Sequence, residues 1–312
     1  MKDTSKAHLF TIGATVLVAS SFPVGASITH EMNSLVITLL RFAVAAVLFG
    51  PFVYLQYGLT LPSRKQAFRY AMIGGSLVLF FWAMFSALRY TSALNTASLF
   101  TLMPLFAAFF SWALLKERLT SRARLALFAG LIGALWVVFR GDFTAIGDFG
   151  FNKGDVIFLG GTITVALYGA LVKYFHRGEP MAIMTFWTLV FGFMWLLILS
   201  LPTLVTTKWY DAPSEVYIGI LYLAIFTTLI TFFVYQWSTA VIGPTKVTSY
   251  SYLNPGLVII MEIIMGQGMP PVMTWPGLGI IMFATFIFQR TPAHSTAETS
   301  IRTREPRSAI AY

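Results

Sequence analysis

The chain of 312 residues contains no cysteine, and charged residues make up only 11% of it. The absence of cysteine excludes disulfide bonds, thiolate nucleophiles and thiolate-bound metals. A hydrophobic share of 57% and a mean hydropathy of +0.75 are far from those of a soluble domain. No G-x-x-x-x-G-K phosphate-binding pattern occurs, so direct coupling to ATP is not expected. The composition therefore indicates a protein that lies mostly within a membrane.

The sequence contains ten apolar stretches, each close to the roughly 20 residues that a helix needs to cross a bilayer. Helices and closed barrels are the structures that satisfy all backbone groups inside lipid. We therefore predict an all-α integral membrane protein with ten transmembrane helices. The predicted spans are Leu9–Ile28, Leu35–Leu55, Ala67–Leu88, Leu94–Leu115, Leu125–Phe139, Asp155–Tyr174, Met181–Leu201, Val216–Trp237, Lys246–Met265 and Val272–Phe288.

The positive charges predict the orientation of these spans. Of the 21 Lys and Arg residues, sixteen would lie on the side of the N-terminus, four on the other side and Arg41 within a span. Cytoplasmic loops carry such an excess of cations, so both termini are predicted to be cytoplasmic in the plasma membrane. The same rule explains the net charge of +9, and no nucleic-acid binding is predicted. The basic tail, residues 290–312, has no periodicity and is predicted to be disordered.

A weak internal duplication divides the chain. Residues 89–120 match residues 240–270 when Pro104 is aligned with Pro255, and this also places Ser98 on Ser249 and Leu102 on Leu253. The copies are five spans apart, and five is odd, so the second copy enters the membrane from the opposite side. Inverted repeats of this kind build two gates around one site in many secondary transporters. The predicted organisation is an N-terminal segment (1–8), a first repeat (9–139), an extracytoplasmic linker (140–154), a second repeat (155–289) and the tail.

Several short motifs resemble a known family. They are Ser20-Ser21-Phe22-Pro23-Val24-Gly25, Arg41-Phe42 and Leu115-Lys116-Glu117-Arg118-Leu119 in the first repeat, and Gly154-Asp155, Ala166-Leu167-Tyr168 and Leu253-Asn254-Pro255 in the second. In order and spacing, from Gly13 to Phe288, the chain resembles EamA-type members of the drug/metabolite transporter superfamily. The resemblance implies a ten-helix bundle, a cavity lined by spans one, three, four, six, eight and nine, and export of small metabolites.

Two ionisable residues are predicted to lie inside the membrane. Eleven of the twelve carboxylates lie in loops, tails or span ends, so Glu262 is the one within a span, and Arg41 is the one cation clearly within a span. Glu262 shares a helix face with Thr248, Ser251 and Pro255. An intramembrane acid is a functional candidate, so Glu262 is predicted to take a coupling proton or to neutralise a substrate amine. An ion pair with Arg41, or snorkelling to the headgroups, stays open. For Arg41 a structural role is favoured, because the resemblance implies an Arg here whatever the substrate.

Aromatic and hydroxyl side chains form the second group of candidates. They suit an amphipathic organic solute and could hold an amine by cation–π attraction, although ordinary helix packing would also explain each one. The predicted set on the cavity spans is Trp82, Tyr168, Thr164, Tyr235, Thr231, Tyr250, Ser251, Asn254 and Ser98.

Two further kinds of residue are predicted to serve gating. Pro23, Pro104 and Pro255 are predicted to kink their helices, either as hinges or as static bends. Glu117 lies among cations at a predicted cytoplasmic helix end, which indicates a role in topology and gating.

These patterns together predict a secondary transporter that exports small organic metabolites, most plausibly amino acids or amines, by alternating access, with proton coupling as an option. A channel or a lipid-handling protein is the alternative. The sequence shows no cluster of catalytic groups, so neither an enzyme nor a cofactor or metal is predicted. The predicted partners are a small-molecule substrate and the lipid bilayer, with protons as a further partner if transport is coupled to them, and the sequence does not indicate the oligomeric state.

Overall fold

The computed structural model describes residues 3–58, 60–138, 152–207, 212–264, 266 and 272–290, and the side chains of all of these except residues 134, 137, 138 and 262. Thirteen α-helices and no β-strand occur in this part of the chain. The helices are α1 (Asp3–Ile28), α2 (Ser34–Tyr57), α3 (Arg64–Ala87), α4 (Ala93–Leu99), α5 (Met103–Leu115), α6 (Ser121–Val138), α7 (Lys153–Phe175), α8 (Met181–Thr206), α9 (Ser214–Ala224), α10 (Thr231–Ile242), α11 (Pro244–Ser249), α12 (Asn254–Ile264) and α13 (Thr274–Arg290).

Three short segments of other helix types join pairs of these α-helices. A 3-10 segment, Phe100–Leu102, joins α4 to α5, and another, Tyr250–Leu253, joins α11 to α12. A π-helix, Ile225–Ile230, joins α9 to α10. The described helices therefore form ten consecutive segments, each overlapping one predicted span, and seven of these segments are long and apolar enough to cross a membrane. The prediction of an all-α integral membrane protein is confirmed.

Side-chain caps start the helices after short polar turns. Ser63 accepts a hydrogen bond from the backbone of Gln66, whose side chain accepts one from the backbone of Ser63, so α3 begins with a capping box. Asn152 and Asp155 make the same reciprocal pair at the start of α7. The Asp155 carboxylate is 2% exposed and also accepts a hydrogen bond from Thr91, 2.7 Å away, so this buried acid is engaged in holding α7 to the turn before α4.

The two 3-10 segments occupy equivalent positions in the duplicated sequence. Pro104 is the second residue of α5 and Pro255 is the second residue of α12, so one residue separates each proline from the end of its 3-10 segment. Proline has no N–H and its ring clashes with the preceding turn, which explains why the helix changes type just before it. The aligned prolines thus produce the same break in both halves. Pro23, in contrast, lies inside α1, which continues through it. Hinge motion at the three prolines stays a prediction.

The two halves of the chain pack mainly against each other. α3 packs along α7, and the equivalent pair after exchange of the halves, α10 and α1, is also in contact. Two further contacts join helices that occupy the same position in the two halves: α2 packs against α8, and α6 packs against α13. Every inter-half contact in this set has its counterpart under the exchange, which is the pattern that two related repeats about a common axis produce.

Glycines permit the closest of these contacts. A Cβ atom on Gly74 of α3 would lie 2.9 Å from both the backbone nitrogen of Gly192 and the carbonyl oxygen of Thr188 on α8. Real Cβ atoms do not come this close to backbone atoms, so the two helices can approach each other here because the residue is glycine. Small residues are common at such helix–helix contacts in membranes.

We therefore predict that Gly74→Ala destabilises the protein. The added methyl group meets backbone on α8, so the helices must separate, and overpacking of this kind costs about 1–3 kcal/mol. The control is Gly160→Ala on α7, which is exposed and has no neighbour within 4 Å of the added atom. Thermal unfolding in detergent should show a lower midpoint for Gly74→Ala and an unchanged or higher one for the control. Equal midpoints for both variants would contradict the close crossing of α3 and α8.

Candidate functional site

A central cavity lies between the two halves of the bundle. It leaves about 60 Å³ for the centres of water-sized molecules, several times the space that one water needs. The helices around it are those of spans one, three, four, six, eight and nine, with α2 contributing Arg41. The lining residues are Val18, Ser21, Arg41, Leu77, Phe80, Phe81, Phe100, Met103, Val165, Tyr168, Gly169, Thr227, Thr231, Phe232, Tyr235, Thr239, Val247, Thr248 and Ser251.

Arg41 is fully buried in the wall of this cavity and is bound to the π-helix. Its Nε donates to the hydroxyl of Thr228, and its Nη2 lies 2.6 Å from both the carbonyl oxygen and the hydroxyl of Thr227. The guanidinium carbon also lies 4.1 Å from the centroid of the Phe81 ring, a cation–π distance. A π-helix alters the register of the backbone hydrogen bonds, and such segments are often found at functional sites.

A cluster of four phenylalanines closes the cavity towards the Asp155 end, the end of the bundle that holds the start of α7 and the end of α1. The rings of Phe22, Phe80, Phe100 and Phe158 have centroids 5.5 to 6.3 Å apart in the contacting pairs. They come from α1, α3, the first 3-10 segment and α7, so both halves contribute. All four are buried. The contact between the two halves at this end of the cavity is therefore apolar.

Polar contacts close the opposite end, the Glu117 end, which holds the start of α1 and the end of α7. Here the hydroxyls of Thr15 and Tyr235 lie 3.2 Å apart, and those of Ser111 and Thr245 lie 3.1 Å apart. Lys173 donates a hydrogen bond of 2.6 Å to Glu117, and this contact joins the end of α7 to the residues directly after α5. His8 Nδ1 lies 2.9 Å from the Tyr250 hydroxyl. Each of these contacts links one half of the chain to the other.

The cavity contains five of the residues that were predicted to line it. These are Arg41, Tyr168, Thr231, Tyr235 and Ser251. Three more are buried nearby without lining it: Tyr250 contacts His8, Ser98 donates to the carbonyl of Leu94, and Asn254 is fully buried at the start of α12.

Two predicted lining residues point elsewhere. Trp82 is 39% exposed and lies on the outer surface of α3, because the neighbouring positions Phe80 and Phe81 occupy the inner face at this level. Thr164 is half-buried outside the lining, and its hydroxyl donates to the carbonyl of Gly161, 2.8 Å away in its own helix. Placing a residue on a cavity span does not establish which face it occupies, so a role for these two residues in binding stays a prediction.

The side chain of Glu262 lies outside the described residues, although its backbone belongs to α12. The predicted pairing of Glu262 with Arg41 therefore stays a prediction. The described partners of Arg41 are the hydroxyl and carbonyl groups of the π-helix and the ring of Phe81.

Sequence reasoning missed the phenylalanine cluster, Thr227 and Lys173. The chain has 29 phenylalanines, so four with a special position do not stand out by composition. Thr227 and Thr228 lie close to the predicted residues Thr231 and Tyr235 on the same helical segment, and this proximity was the one indication in the sequence that Thr227 lines the cavity. Lys173 is one of the sixteen cations predicted on the side of the N-terminus, and nothing in the sequence indicates that it meets Glu117.

Comparison with known proteins identifies the family. A family model described as the EamA-like transporter family matches the chain twice, over residues 5–139 and 152–289. The chain belongs to this family. It is similar to the uncharacterized transporter YyaM of Bacillus subtilis strain 168, with 28% identity over 244 residues that cover 76% of this chain and 79% of the relative. An uncharacterized transporter of Archaeoglobus fulgidus is 26% identical over 289 residues, covering 90% and 96% of the two chains.

A solved crystal structure of a protein has the same fold as this EamA-like chain. Its TM-score is 0.72 at 17% identity, and the match covers 91% of this chain and 97% of the other. The double match to the family model confirms the resemblance and the repeat structure that the sequence predicted. The EamA-like protein is accordingly a multi-pass membrane transporter, and its relatives are named as transporters.

We predict that the pair formed by Glu117 and Lys173 holds the Glu117 end closed. Because the chain has no cysteine, Thr248→Cys supplies a single reporter thiol in the cavity wall. Glu117→Gln should speed its labelling by a polar maleimide about two- to fivefold, since partly exposed ion pairs contribute up to ~1 kcal/mol.

The charge-swapped double variant, Glu117→Lys with Lys173→Glu, is the control for this experiment. It restores the attraction with the partners exchanged, so labelling should return towards the original rate. Identical rates in all three backgrounds would show that the pair does not gate access.

Proposed function

We propose that this EamA-like protein is a secondary transporter that exports a small organic metabolite by alternating access. The observation that carries the proposal is the central cavity, which residues of both repeats line and which lies between inter-repeat contacts of different kinds at the two ends of the bundle. Inverted repeats around a midplane site are the usual architecture of alternating access. In such a cycle, separation of the phenylalanine cluster opens one end, and separation of the polar contacts opens the other.

The proposed orientation follows from the cations. Lys65, Arg118 and Lys173, which the structure describes, are among the sixteen cations that the sequence assigns to the side of the N-terminus. The excess of cations favours a cytoplasmic Glu117 end in the plasma membrane. Export then means loading through the polar seal and release through the phenylalanine seal.

Flux in proteoliposomes tests this function. Purified protein should take up one class of labelled organic solute from a panel of organic acids, amino acids and amines, with saturation and with acceleration by unlabelled solute inside. Saturation and acceleration follow from a site that faces one side at a time. Protein-free liposomes give the leak. Flux that rises linearly with concentration would indicate a channel, and transfer of labelled lipid without solute flux would indicate lipid handling. Either result would contradict the proposal.

We further propose that Glu262 carries the coupling proton if transport depends on a pH gradient. An acid within a span is costly while charged, so it is suited to bind and release a proton during the cycle. Glu262→Gln should then abolish acceleration of flux by the gradient and preserve exchange without one. Glu215→Gln, at the exposed start of α9, is the control. Unchanged pH dependence and affinity in Glu262→Gln would end this assignment.

A further inference from the structure

Arg41 gives the cavity a fixed positive charge, and no fixed negative charge lies beside it among the residues whose side chains the structure describes. Among the described residues that line the cavity there is no aspartate or glutamate. The groups that Arg41 contacts there, Thr227, Thr228 and the ring of Phe81, are all neutral. A charge inside the membrane is costly unless an opposite charge compensates it, so a guanidinium in this position favours the arrival of an anion.

One nitrogen of this guanidinium is available to such an anion. Nε and Nη2 are occupied by the π-helix, whereas Nη1 is buried and has no hydrogen-bond partner in the described part of the chain. The hydroxyl of Ser251, which lines the same cavity, is likewise buried and without a hydrogen-bond partner in the described part of the chain. Buried polar groups are normally hydrogen-bonded, and orphaned ones that face a cavity indicate a ligand that completes them.

Resting on the proposed function, we propose that the transported solute is an organic anion with one carboxylate and no ammonium group, and that Nη1 of Arg41 binds the carboxylate. A carboxylate accepts charge-assisted hydrogen bonds from a guanidinium, and these are stronger than bonds between neutral groups. One carboxylate balances the single charge of Arg41. The apolar body of the solute contacts Phe80 and Phe232 in the cavity wall.

Charge also argues against the other solute classes. An amine would bring a second cation next to Arg41, and like charges at short distance repel. A zwitterion would satisfy Arg41 with its carboxylate but would leave its ammonium group without an acid in the described lining. A dianion would leave one negative charge uncompensated. The monocarboxylate is the class for which the loaded cavity is neutral.

Binding to the unmodified protein provides the first test, since it needs no variant that must fold. The probes are isovalerate, leucine and isopentylamine, which share an isobutyl body and differ in charge, together with the matched series phenylacetate, phenylalanine and phenylethylamine. Stabilisation against thermal unfolding in detergent reports affinity. In at least one series the carboxylate should bind about tenfold more tightly than the other two members, because the amine lacks the charge-assisted hydrogen bond to Arg41 and the amino acid would bury an ammonium group without an acid in the described lining. Equal or tighter binding of an amine or an amino acid, or no binding of either carboxylate, would overturn the proposal.

Variants then assign the preference to Arg41. Arg41→Gln should remove the preference for the carboxylate, and Arg41→Lys should retain it at reduced affinity, because lysine keeps the charge but not the planar arrangement of donors. Ser251→Ala should weaken binding without changing the order within a series. Arg64→Gln, the same chemical change at the exposed start of α3, is the control and should behave as wild type. A preference for the carboxylate that survives in Arg41→Gln would show that Arg41 does not bind it.

The flux experiment separates failure of this inference from failure of the proposed function. Saturable flux of an amine or an amino acid, with no carboxylate preference in binding, would leave the transporter intact and reject the anion site. Carboxylate binding that depends on Arg41, without flux, would support the anion site and reject the transport cycle.

Discussion

Hydrogen bonds from Arg41 to the π-helix hold the cavity wall together, and much of the site depends on them. Water is scarce in the interior of a membrane protein, so a buried guanidinium must find its acceptors within the protein. The π-helix supplies them, because two successive threonines present a carbonyl and two hydroxyls to α2. This contact joins α2 of the first repeat to the α9–α10 segment of the second. The Phe81 ring covers the remaining face of the guanidinium and extends the contact to α3.

Duplication gave the two repeats similar backbones but unlike seals. The 3-10 breaks before Pro104 and Pro255 are equivalent, whereas the ends of the cavity are closed by aromatic rings on one side and by hydroxyls and one ion pair on the other. Separated polar groups can exchange their partners for water at small net cost. Separated phenylalanine rings expose apolar surface, which costs free energy in proportion to area. Exposure to water therefore costs more free energy at the phenylalanine end than at the polar end, although the backbone around the two ends is alike.

The sequence predicted the helices well and the site partly, and the difference has a physical reason. Spans are determined by length and hydropathy, and the breaks at Pro104 and Pro255 follow from the missing N–H, so both could be predicted locally. The π-helix contains neither proline nor glycine, and it arises where Arg41, 187 residues away along the chain from Thr228, needs acceptors. Trp82 was assigned to the cavity through its span, yet the face it occupies depends on how α3 packs against its neighbours. Contacts between distant residues, such as Lys173 with Glu117, depend on the fold as a whole.

Arg41, the one charged residue in the described lining of the cavity, also bears on the energy source of transport. If the solute is a monoanion, each transport event carries one negative charge across the bilayer, and the inside-negative voltage of a cell drives that charge outwards. The gain is about 2.3 kcal/mol per 100 mV, equivalent to roughly a fiftyfold concentration ratio. Arg41 would then make export electrogenic. The resting potential alone could expel the anion against a considerable gradient, with no proton or sodium ion moving in return.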